Sequence, residues 1–554
     1  MTLIIITSYY LTILISIIGF GYLCSRIINI NITSKNIALF GFFGVISLTF
    51  VSYLTNLFLA HNFSHNLTVL SIGLFFFFYG ILKKEINKNS IYKIIFLAIL
   101  LLIFSLLYKS HDDFGWYHLP YTLNLVYNKF QFGLGHFSHG FRTPSSLFYL
   151  NSLFYLPIIK FYTFNFAQLY IFLFGLIYLY KRVFDKYNKD SFIFFYSLLA
   201  FTFISVVFYR LAEHGTDRSG QIILFIIFVL IFDILKDKLI NFNKVNIFII
   251  LLIYIITIKT YFIIYALLFL PIIFKLENYR SYQKIFFSKL IIFSTIFLIL
   301  HFNIQVANTG CLFYPMNFTC YSGFEWAINK DEVILMGEWY ELWSKSGANP
   351  NFRVENTEEY IKNFNWVSRW FSEYFFNKIS DLSLGIILIL LICVYSFRNI
   401  SIKLIHENSK EIKILFFCVL VLSIIWFTEF PQLRYGGFII IANIFFLPFC
   451  IYVLRYKINK KIIDRAKIII LISLIIFLTR NVKRIAYEME FYQYEPFENA
   501  YFKVQKPEFN RKFLQDGIIL NKTDSPCWSI PQPCARRSGI TGTKKNSYIF
   551  WSRK

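Results

Sequence analysis

The sequence predicts an all-α polytopic membrane protein with about fourteen transmembrane helices, and at least about twelve, interfacial amphipathic helices in outer loops and a small outward C-terminal segment. Hydrophobic residues make up 57% of the chain and charged residues only 16%, whereas globular domains carry about 25% charged residues. Long apolar runs recur from the first residues to about position 479. Lys and Arg concentrate between these runs. This composition excludes disordered, collagenous and ordinary cytosolic proteins.

The apolar runs are taken in chain order as spans, because each approaches the roughly 20 residues that cross a bilayer. The predicted spans are 4–23, 38–60, 67–82, 92–108, 162–180, 191–209, 219–235, 245–258, 260–274, 288–302, 383–397, 413–428, 437–454 and 467–479. The two shortest, 245–258 and 467–479, are consistent with half-helices, the first within a bent segment interrupted at Lys259 and Thr260. The first span lacks a basic leader, so we expect it to be retained.

Basic residues in short loops predict the sidedness, because such loops stay on the cytoplasmic side. They account for most of the formal net charge of +24, so we expect no nucleic-acid partner. The opposite, outer side receives the segments 109–161, 210–218, 303–382 and the tail from 480. The predicted regions are an N-terminal four-helix region 1–108, a first large outer loop 109–161, central helices 162–302, a long outer loop 303–382, C-terminal helices 383–479 and an outward segment 480–554.

Four of the eight cysteines form two close pairs in outward segments. Cys311 lies near Cys320 and Cys527 near Cys534, whereas the other four cysteines lie in or beside spans. Close pairs on the outer side favour local disulfides in an oxidising compartment. Unpaired thiols are the alternative, and zinc is disfavoured because no Cys-x-x-Cys occurs.

The densest polar cluster follows the fourth predicted span and contains His111, Asp112, Asp113, Tyr117 and His118. Two adjacent carboxylates at the exit of an apolar helix lie in a partly desolvated place. There one carboxylate can act as a base with a raised pKa, or the pair can bind a divalent cation. The alternative role is capping of the following helix.

Two outer segments show helical spacing of apolar residues. Pro120 can begin a helix, and the apolar residues from Trp116 to Phe130 then recur every three or four positions, which predicts an amphipathic helix lying on the membrane. A second such helix is predicted between Glu355 and Phe376. We expect the second to be a scaffold without catalytic residues.

A second polar cluster lies between the sixth and seventh predicted spans. It contains Arg210, Glu213, His214, Asp217 and Arg218. These residues indicate either a self-neutralising ion-pair cluster at a helix turn or a second set of charged groups facing the same site.

Two further arginines are candidate anion ligands. Arg434 follows the twelfth predicted span, where a guanidinium can bind phosphate oxygens bidentately. It could equally pair with a phospholipid headgroup or with Glu429. Arg142 follows His136 and His139 in the first outer loop, and we expect these histidines to form hydrogen bonds or contact substrate.

An acidic pair after an early span, an interfacial helix, further charged outer loops and an outward C-terminal segment resemble the GT-C class of membrane glycosyltransferases. That class includes oligosaccharyltransferases, dolichyl-phosphate-mannose-dependent mannosyltransferases and the bacterial aminoarabinose transferase of lipid A. Within the class, the short motifs are similar to those of a group of large bacterial integral membrane proteins. These motifs are Asp113 to His118, Gly310 to Pro315, Pro431 to Gly436 and Cys527 to Cys534. The resemblance covers about positions 92–534, but the class usually places its acidic loop after the first span rather than the fourth.

The resemblance implies transfer of a sugar from a polyprenyl-phosphate donor to a glycan, lipid or protein acceptor, with inversion, on the periplasmic or outer side of an inner or plasma membrane. Asp113, or Asp112, would be the base or a metal ligand. Tyr117, His118 and His214 would contact substrate.

By the same resemblance, Glu213 or Asp217 would supply the second acidic group. Arg434, alone or with Arg218 or Arg142, would hold the lipid phosphate. It leaves open whether a divalent cation, Mg²⁺ or Mn²⁺, takes part.

Two alternative functions compete with this reading. A polysaccharide polymerase or ligase of envelope glycan assembly also uses lipid-linked glycans and outward arginines, but depends less on carboxylates. A lipid or glycan transporter predicts ionisable residues deep inside the spans, and the sequence offers few beyond Lys259.

Overall fold

The computed structural model describes residues 2–156, 158, 160–185, 190–213, 215–276, 279–348, 352–398, 409–497 and 504–553. Most of these residues are helical. The helices of the first half are α1 (Thr2–Ile27), α2 (Ile37–Asn56), α3 (Phe63–Leu82), α4 (Lys88–Leu101), α5 (Leu119–Tyr127), α6 (Ser146–Leu153), α7 (Phe166–Phe184), α8 (Ser191–Val207), α9 (Gly215–Lys236) and α10 (Phe242–Ile258). Those of the second half are α11 (Leu270–Lys275), α12 (Tyr279–Phe286), α13 (Lys289–Thr309), α14 (Lys330–Lys345), α15 (Thr357–Ile361), α16 (Val367–Trp370), α17 (Ser380–Phe397), α18 (Ser409–Glu429), α19 (Gly437–Val453) and α20 (Lys460–Tyr492).

Within the described residues, eight helices are long and apolar enough to cross a membrane. They are Leu3–Ile27, Ile37–Asn56, Phe63–Leu82, Thr163–Phe184, Gly215–Lys236, Lys289–Thr309, Val367–Phe397 and Lys410–Glu429. Four shorter apolar helices are Ser191–Val207, Phe242–Ile258, Thr260–Lys275 and Gly437–Val453. The predicted helical membrane protein therefore agrees with the structure, whereas the predicted number of about fourteen spans is not confirmed.

Side-chain caps begin several of these helices. Asp190 accepts a hydrogen bond from the Ile193 backbone N–H at 3.1 Å, and Ser288 accepts one from Ile291 at 3.2 Å. Each cap satisfies a backbone donor that has no partner inside its own helix. The starts of these two helices thus lie close to the starts of the apolar runs at 191 and 288.

The central helices are buried on nearly every side, and the peripheral ones are not. α9 is enclosed along almost its whole length, and α2 and α7 nearly so, whereas α3 and α17 expose most of their side chains. A helix that is apolar all round belongs in the interior, and an exposed apolar surface suits lipid contact. α9 therefore forms part of a fixed frame for the residues at its ends.

The C-terminal segment departs from the all-α prediction, because it contains β1 (Asn510–Phe513), β2 (Ile519–Lys522), β3 (Cys534–Ala535), β4 (Ile540–Lys545) and β5 (Tyr548–Arg553). β1 and β2 pair antiparallel, β2 and β3 parallel, and β4 with β5 as a hairpin. Asn546 and Ser547 join the hairpin with φ values of 46° and 65°, as a tight two-residue turn requires. The strands are too short to show in the sequence pattern.

Two predicted interfacial helices take other forms. α5 does contain Pro120 at its start, but its residues 119–126 are all buried, so it packs inside the protein instead of lying exposed on a membrane. The segment 355–376 is broken at Asn363, which has a φ of 53°. α20 also runs on past the predicted span end at 479 to Tyr492.

Candidate functional site

The site begins where α10 stops in an apolar region. The helix ends at Ile258, Lys259 is extended (φ −152°, ψ 116°), and a 3₁₀ helix starts at Thr260. The break directs the Lys259 ammonium to Asp217, with Nζ 2.6 Å from Oδ1. Nζ also lies 4.2 Å from the ring centre of Tyr435, a favourable cation–π distance. The chain is therefore interrupted at Lys259 and Thr260, and the interruption places Lys259 against Asp217.

Asp217 joins this lysine to Arg434. It occupies the first turn of α9, and its Oδ2 accepts a hydrogen bond from Arg434 Nε at 3.1 Å. Arg434 lies between α18 and α19, with its guanidinium carbon 5.4 Å from the ring centre of Trp343. One carboxylate thus holds two cations in place, and these three residues, Asp217, Lys259 and Arg434, are called the Asp217 triad below.

The turn that carries Arg434 is fixed by buried polar side chains. The indole N–H of Trp370 donates to the Pro431 carbonyl, that of Trp426 to Gln432, the Gln221 amide to Leu433, and the Leu433 N–H donates to the Tyr374 hydroxyl, all between 2.8 and 3.1 Å. Trp370 belongs to the aromatic segment predicted as a scaffold. The guanidinium is therefore presented from a backbone that has little freedom to move.

Asp113 stands at the start of an irregular helical turn. A π-helical turn spans Phe114–His118, a feature that often occurs at functional sites. The Tyr117 hydroxyl donates to Asp113 Oδ2 at 2.9 Å, and the Asp113 backbone N–H donates to His111 Nδ1 at 3.0 Å. The turn therefore fixes the carboxylate through Tyr117 and the backbone of Asp113 through His111.

The pKa of Asp113 lies below its ordinary value, against the raised pKa expected from the sequence. Burial would raise the pKa of this carboxyl, but His111, His118, the Tyr117 hydrogen bond and Arg434 together outweigh that effect. At neutral pH, where the histidines are uncharged, the Tyr117 hydrogen bond and the charge of Arg434 stabilise the ionised form. Asp113 is accordingly a carboxylate at neutral pH.

Histidines line the same turn and are neutral. The His118 ring stacks 5.6 Å from His111, and the His139 ring lies 5.3 Å from Tyr117. Burial lowers the pKa of His118 to about 3 and also lowers those of His111 and His139. These side chains can exchange hydrogen bonds without adding charge.

The Asp113 turn and the Asp217 triad form one electrostatic unit. Asp113 interacts with Arg434 and with Lys259, and His111 interacts with both Arg434 and Asp217. The structure thus brings together five of the residues singled out in the sequence: Asp113, Tyr117, His118, Asp217 and Arg434. Two carboxylates and two cations from four distant chain segments share the site.

Glu213 lies in a different network. Its carboxylate binds Arg210, with Nε at 2.9 Å, and also Arg484. Arg484 in turn donates to Glu488 at 2.7 Å, and Glu488 accepts the backbone N–H of Tyr108 at 2.8 Å. Arg210 and Glu213 thus form an ion pair, but their further partners come from α20 and not from the local turn, and the network binds α20 to neighbouring segments.

The other candidates lie apart or are engaged elsewhere. Asp112 is exposed. Arg218 packs against the rings of Phe208 and Phe438, at 5.6 and 5.7 Å. His214 lies outside the described residues.

Arg142 is fully buried and bound on three sides. It donates to the Gly135 carbonyl at 3.1 Å, to the Tyr314 hydroxyl at 2.5 Å and to Glu332. All these partners belong to the protein, so Arg142 is a structural link between the first loop and α14.

Of the three candidate metal ligands, Asp217 is engaged by cations of the protein. Asp217 uses both carboxylate oxygens on Lys259 and Arg434, whose charges would repel a cation. In the described part of the chain, no group of three or more His, Cys, Asp or Glu side chains is placed to hold a metal ion.

Disulfides join Cys311 to Cys320 and Cys527 to Cys534. The second one closes a loop that packs on the Asp113 turn. Trp528 in that loop donates its backbone N–H to the Gly115 carbonyl at 2.9 Å, and a Cβ at position 115 would lie 2.2 Å from the indole. Only glycine permits this approach.

Sequence reasoning did not assign Lys259, Tyr435 or Trp343 to the site. Lys259 did give a signal, since an ionisable residue in an apolar run is costly unless it is used. The aromatic pair gave none, because aromatic residues are frequent throughout this chain.

Comparison with known families identifies one relationship. The model of a family described as a domain of unknown function (DUF8201) matches residues 1–441, so the chain belongs to that family. No curated protein and no solved structure matches the chain.

Proposed function

We propose that this DUF8201 protein is a membrane glycosyltransferase that moves a sugar from a polyprenyl-phosphate donor to an acceptor hydroxyl, with inversion. The observation that carries the proposal is the pairing of Lys259 and Arg434 with Asp217, at 2.6 and 3.1 Å, within electrostatic range of the ionised Asp113 carboxylate. A base and a fixed phosphate ligand are the two parts that this reaction needs.

In the proposed reaction, Asp113 accepts the proton of the acceptor hydroxyl while that oxygen forms a bond to the anomeric carbon. The bond from the anomeric carbon to the phosphate oxygen breaks, and its electron pair stays on the phosphate. Arg434 and Lys259 stabilise this growing negative charge, and Asp217 orients both cations. Because attack and departure are in line, the configuration inverts.

The site would lie on the periplasmic or outer side of an inner or plasma membrane, and membrane lipids would surround the helices. The disulfide from Cys527 to Cys534 supports this placement, because its loop contacts the Asp113 turn and disulfides persist in oxidising compartments. The acceptor could be a glycan, a lipid or a protein.

The test is deletion of the gene in its native host and complementation with wild type, Asp113→Asn or Asp112→Asn at equal membrane abundance. Mass spectrometry of lipid-linked sugars and surface glycans is the readout. Loss of general base catalysis should reduce the product by about 10²- to 10⁴-fold in Asp113→Asn. Asp112→Asn is the matched control, because Asp112 is adjacent but exposed, and it should restore the product.

Full complementation by Asp113→Asn would refute the role of Asp113 as base. A deletion that leaves every glycan unchanged would favour a lipid or glycan transporter, a candidate supported by the helix break at Lys259, since broken helices form transport sites. If the deletion loses the longer glycan chains and Asp113→Asn restores them, a polymerase or ligase is favoured.

A further inference from the structure

A second cluster of charge surrounds Glu332 in the first turn of α14. Its Oε1 accepts hydrogen bonds from Arg142 and, at 2.8 Å, from Arg537. Its Oε2 lies 3.9 Å from Arg553. Three guanidiniums from the first loop, the β3–β4 connection and β5 thus meet one carboxylate.

This cluster carries an excess of two positive charges. Arg142 is completely buried, and the side chains of Glu332 and Arg537 are each only 29% exposed. The neighbouring Asp331 is exposed to solvent and does not offset the excess. Half-buried positive charge is costly unless an anion compensates it.

A buried histidine adds a polar group to the same place. His136 is 4% exposed, and its Nε2 bonds the Trp326 carbonyl at 3.1 Å, so Nε2 carries the proton. Its Nδ1 is then an acceptor, and within the described residues it has no hydrogen-bond partner. His136 also interacts with Glu332 and Arg537.

We propose that Arg537 and Arg553, which lie against Glu332 beside Arg142, bind an oxyanion, a phosphate or carboxylate group, that competes with Glu332 for their guanidiniums. Arg side chains suit planar, bidentate binding of such groups. Both arginines lie beyond residue 441, outside the family match, so the C-terminal segment contributes this subsite.

The subsite adjoins the Asp113 turn. The His139 ring lies 5.3 Å from Tyr117 of that turn, within electrostatic range of Asp113, Arg142 and Arg537. If the proposed transferase function holds, the oxyanion belongs to the acceptor, which is then an acidic molecule. The binding itself does not rest on that function and is tested without it.

The experiment measures inorganic phosphate binding to the purified full chain in detergent, by thermal stabilisation and tryptophan fluorescence. Wild type should show saturable binding, and Arg537→Gln with Arg553→Gln should weaken it by about tenfold or more. Arg553 is the most exposed of the three arginines, so Arg553→Gln alone keeps the buried contacts. It should weaken phosphate binding less than the double variant does. Lys544→Gln on the same hairpin is the control and should bind like wild type.

Glu332→Gln separates a binding site from a structural tether by the sign of its effect. Removal of the competing carboxylate should tighten phosphate binding by about tenfold, whereas a cluster that only ties the C-terminal segment would lose stability and gain no affinity. Unchanged or weaker binding in Glu332→Gln, or full binding in the double arginine variant, overturns the proposal.

A final arm identifies the source of the oxyanion. In nanodiscs of phosphatidylcholine the phosphate response should match that in detergent. If phosphatidylglycerol abolishes the phosphate response equally in wild type and in Lys544→Gln, a lipid headgroup occupies the site. If the phosphate response persists in phosphatidylglycerol, the ligand is soluble. Either result supports an oxyanion site.

Discussion

Glu213 and Asp217 are four residues apart, and the structure gives them opposite surroundings. Glu213 pairs with Arg210 and with Arg484, which also binds Glu488, so two acids and two bases neutralise one another. Asp217 holds Lys259 and Arg434 opposite Asp113. The first network pairs acids and bases of the protein with one another, whereas the second places two cations within electrostatic range of the Asp113 carboxylate.

The difference teaches that charge at an interface becomes a site only where a substrate can use it. The Glu213 network also binds backbone N–H groups of Tyr108 and Lys109 through Glu488, so it holds chain segments together. The Asp217 triad instead rests on a break in an apolar helix and on a turn fixed by aromatic side chains. One network should govern stability and the other activity.

The largest expected effect, after loss of Asp113, comes from the triad cations. Arg434→Gln should lower transfer by about 10²- to 10³-fold, because a fixed donor to the developing phosphate charge is lost. Lys259→Met should act similarly, and both proteins should still fold, because Asp217 keeps its other cation in each variant. Transfer assays with membranes of matched protein content are the measurement, and activity within threefold of wild type in both variants would remove the triad from the mechanism.

Glu213→Gln should affect stability instead of activity. Arg484 and Arg210 then lose the negative charge of Glu213 while they stay partly buried. This loss should lower the free energy of unfolding by about 3 kcal/mol. Thermal denaturation in detergent measures this, while activity per folded molecule stays near wild type. A selective loss of activity without destabilisation would erase the distinction between the two networks.

Gly115→Ala sharpens the comparison from the Asp113 side. The new Cβ would meet the Trp528 indole, so the turn or the disulfide loop must shift, and a displacement of about 1 Å of a catalytic group can reduce turnover by about 10²-fold. kcat should fall more than KM rises. Trp528→Ala combined with Gly115→Ala relieves the clash and should recover part of the loss, and a single variant with wild-type kcat would contradict positioning by this contact.

The smallest expected effect is that of pH. Because the pKa of Asp113 is lowered below 3.8 and that of His118 to about 3, neither group changes charge between about pH 5 and 8. Protonation of these groups should therefore produce no acid limb in that range. If activity falls at low pH with an apparent pKa near 6.5, and if His118→Gln removes this pH dependence, the histidine titrates.

Part of this arrangement could be read from the sequence, and physical reasons limit the rest. Apolar runs near bilayer length predict the helices, and a lone lysine in such a run predicts the break at Lys259. The pairing of Asp217 with Arg434 spans 217 positions, and no local pattern encodes it. The separation of Glu213 from Asp217 depends on where α20 packs. The sequence allowed a raised pKa for one carboxylate of the Asp112 and Asp113 pair, but at Asp113 the neighbouring His111, His118 and Tyr117 and the distant Arg434 outweigh burial and lower the pKa.

The most direct test of the central claim is complementation of the deletion strain with Asp217→Asn and, as its matched control, Glu213→Gln at equal membrane abundance. Mass spectrometry of lipid-linked sugars and surface glycans is the measurement. We expect Asp217→Asn to lose the product and Glu213→Gln to retain it. Full product in Asp217→Asn would contradict a shared site of Asp113 and the Asp217 triad.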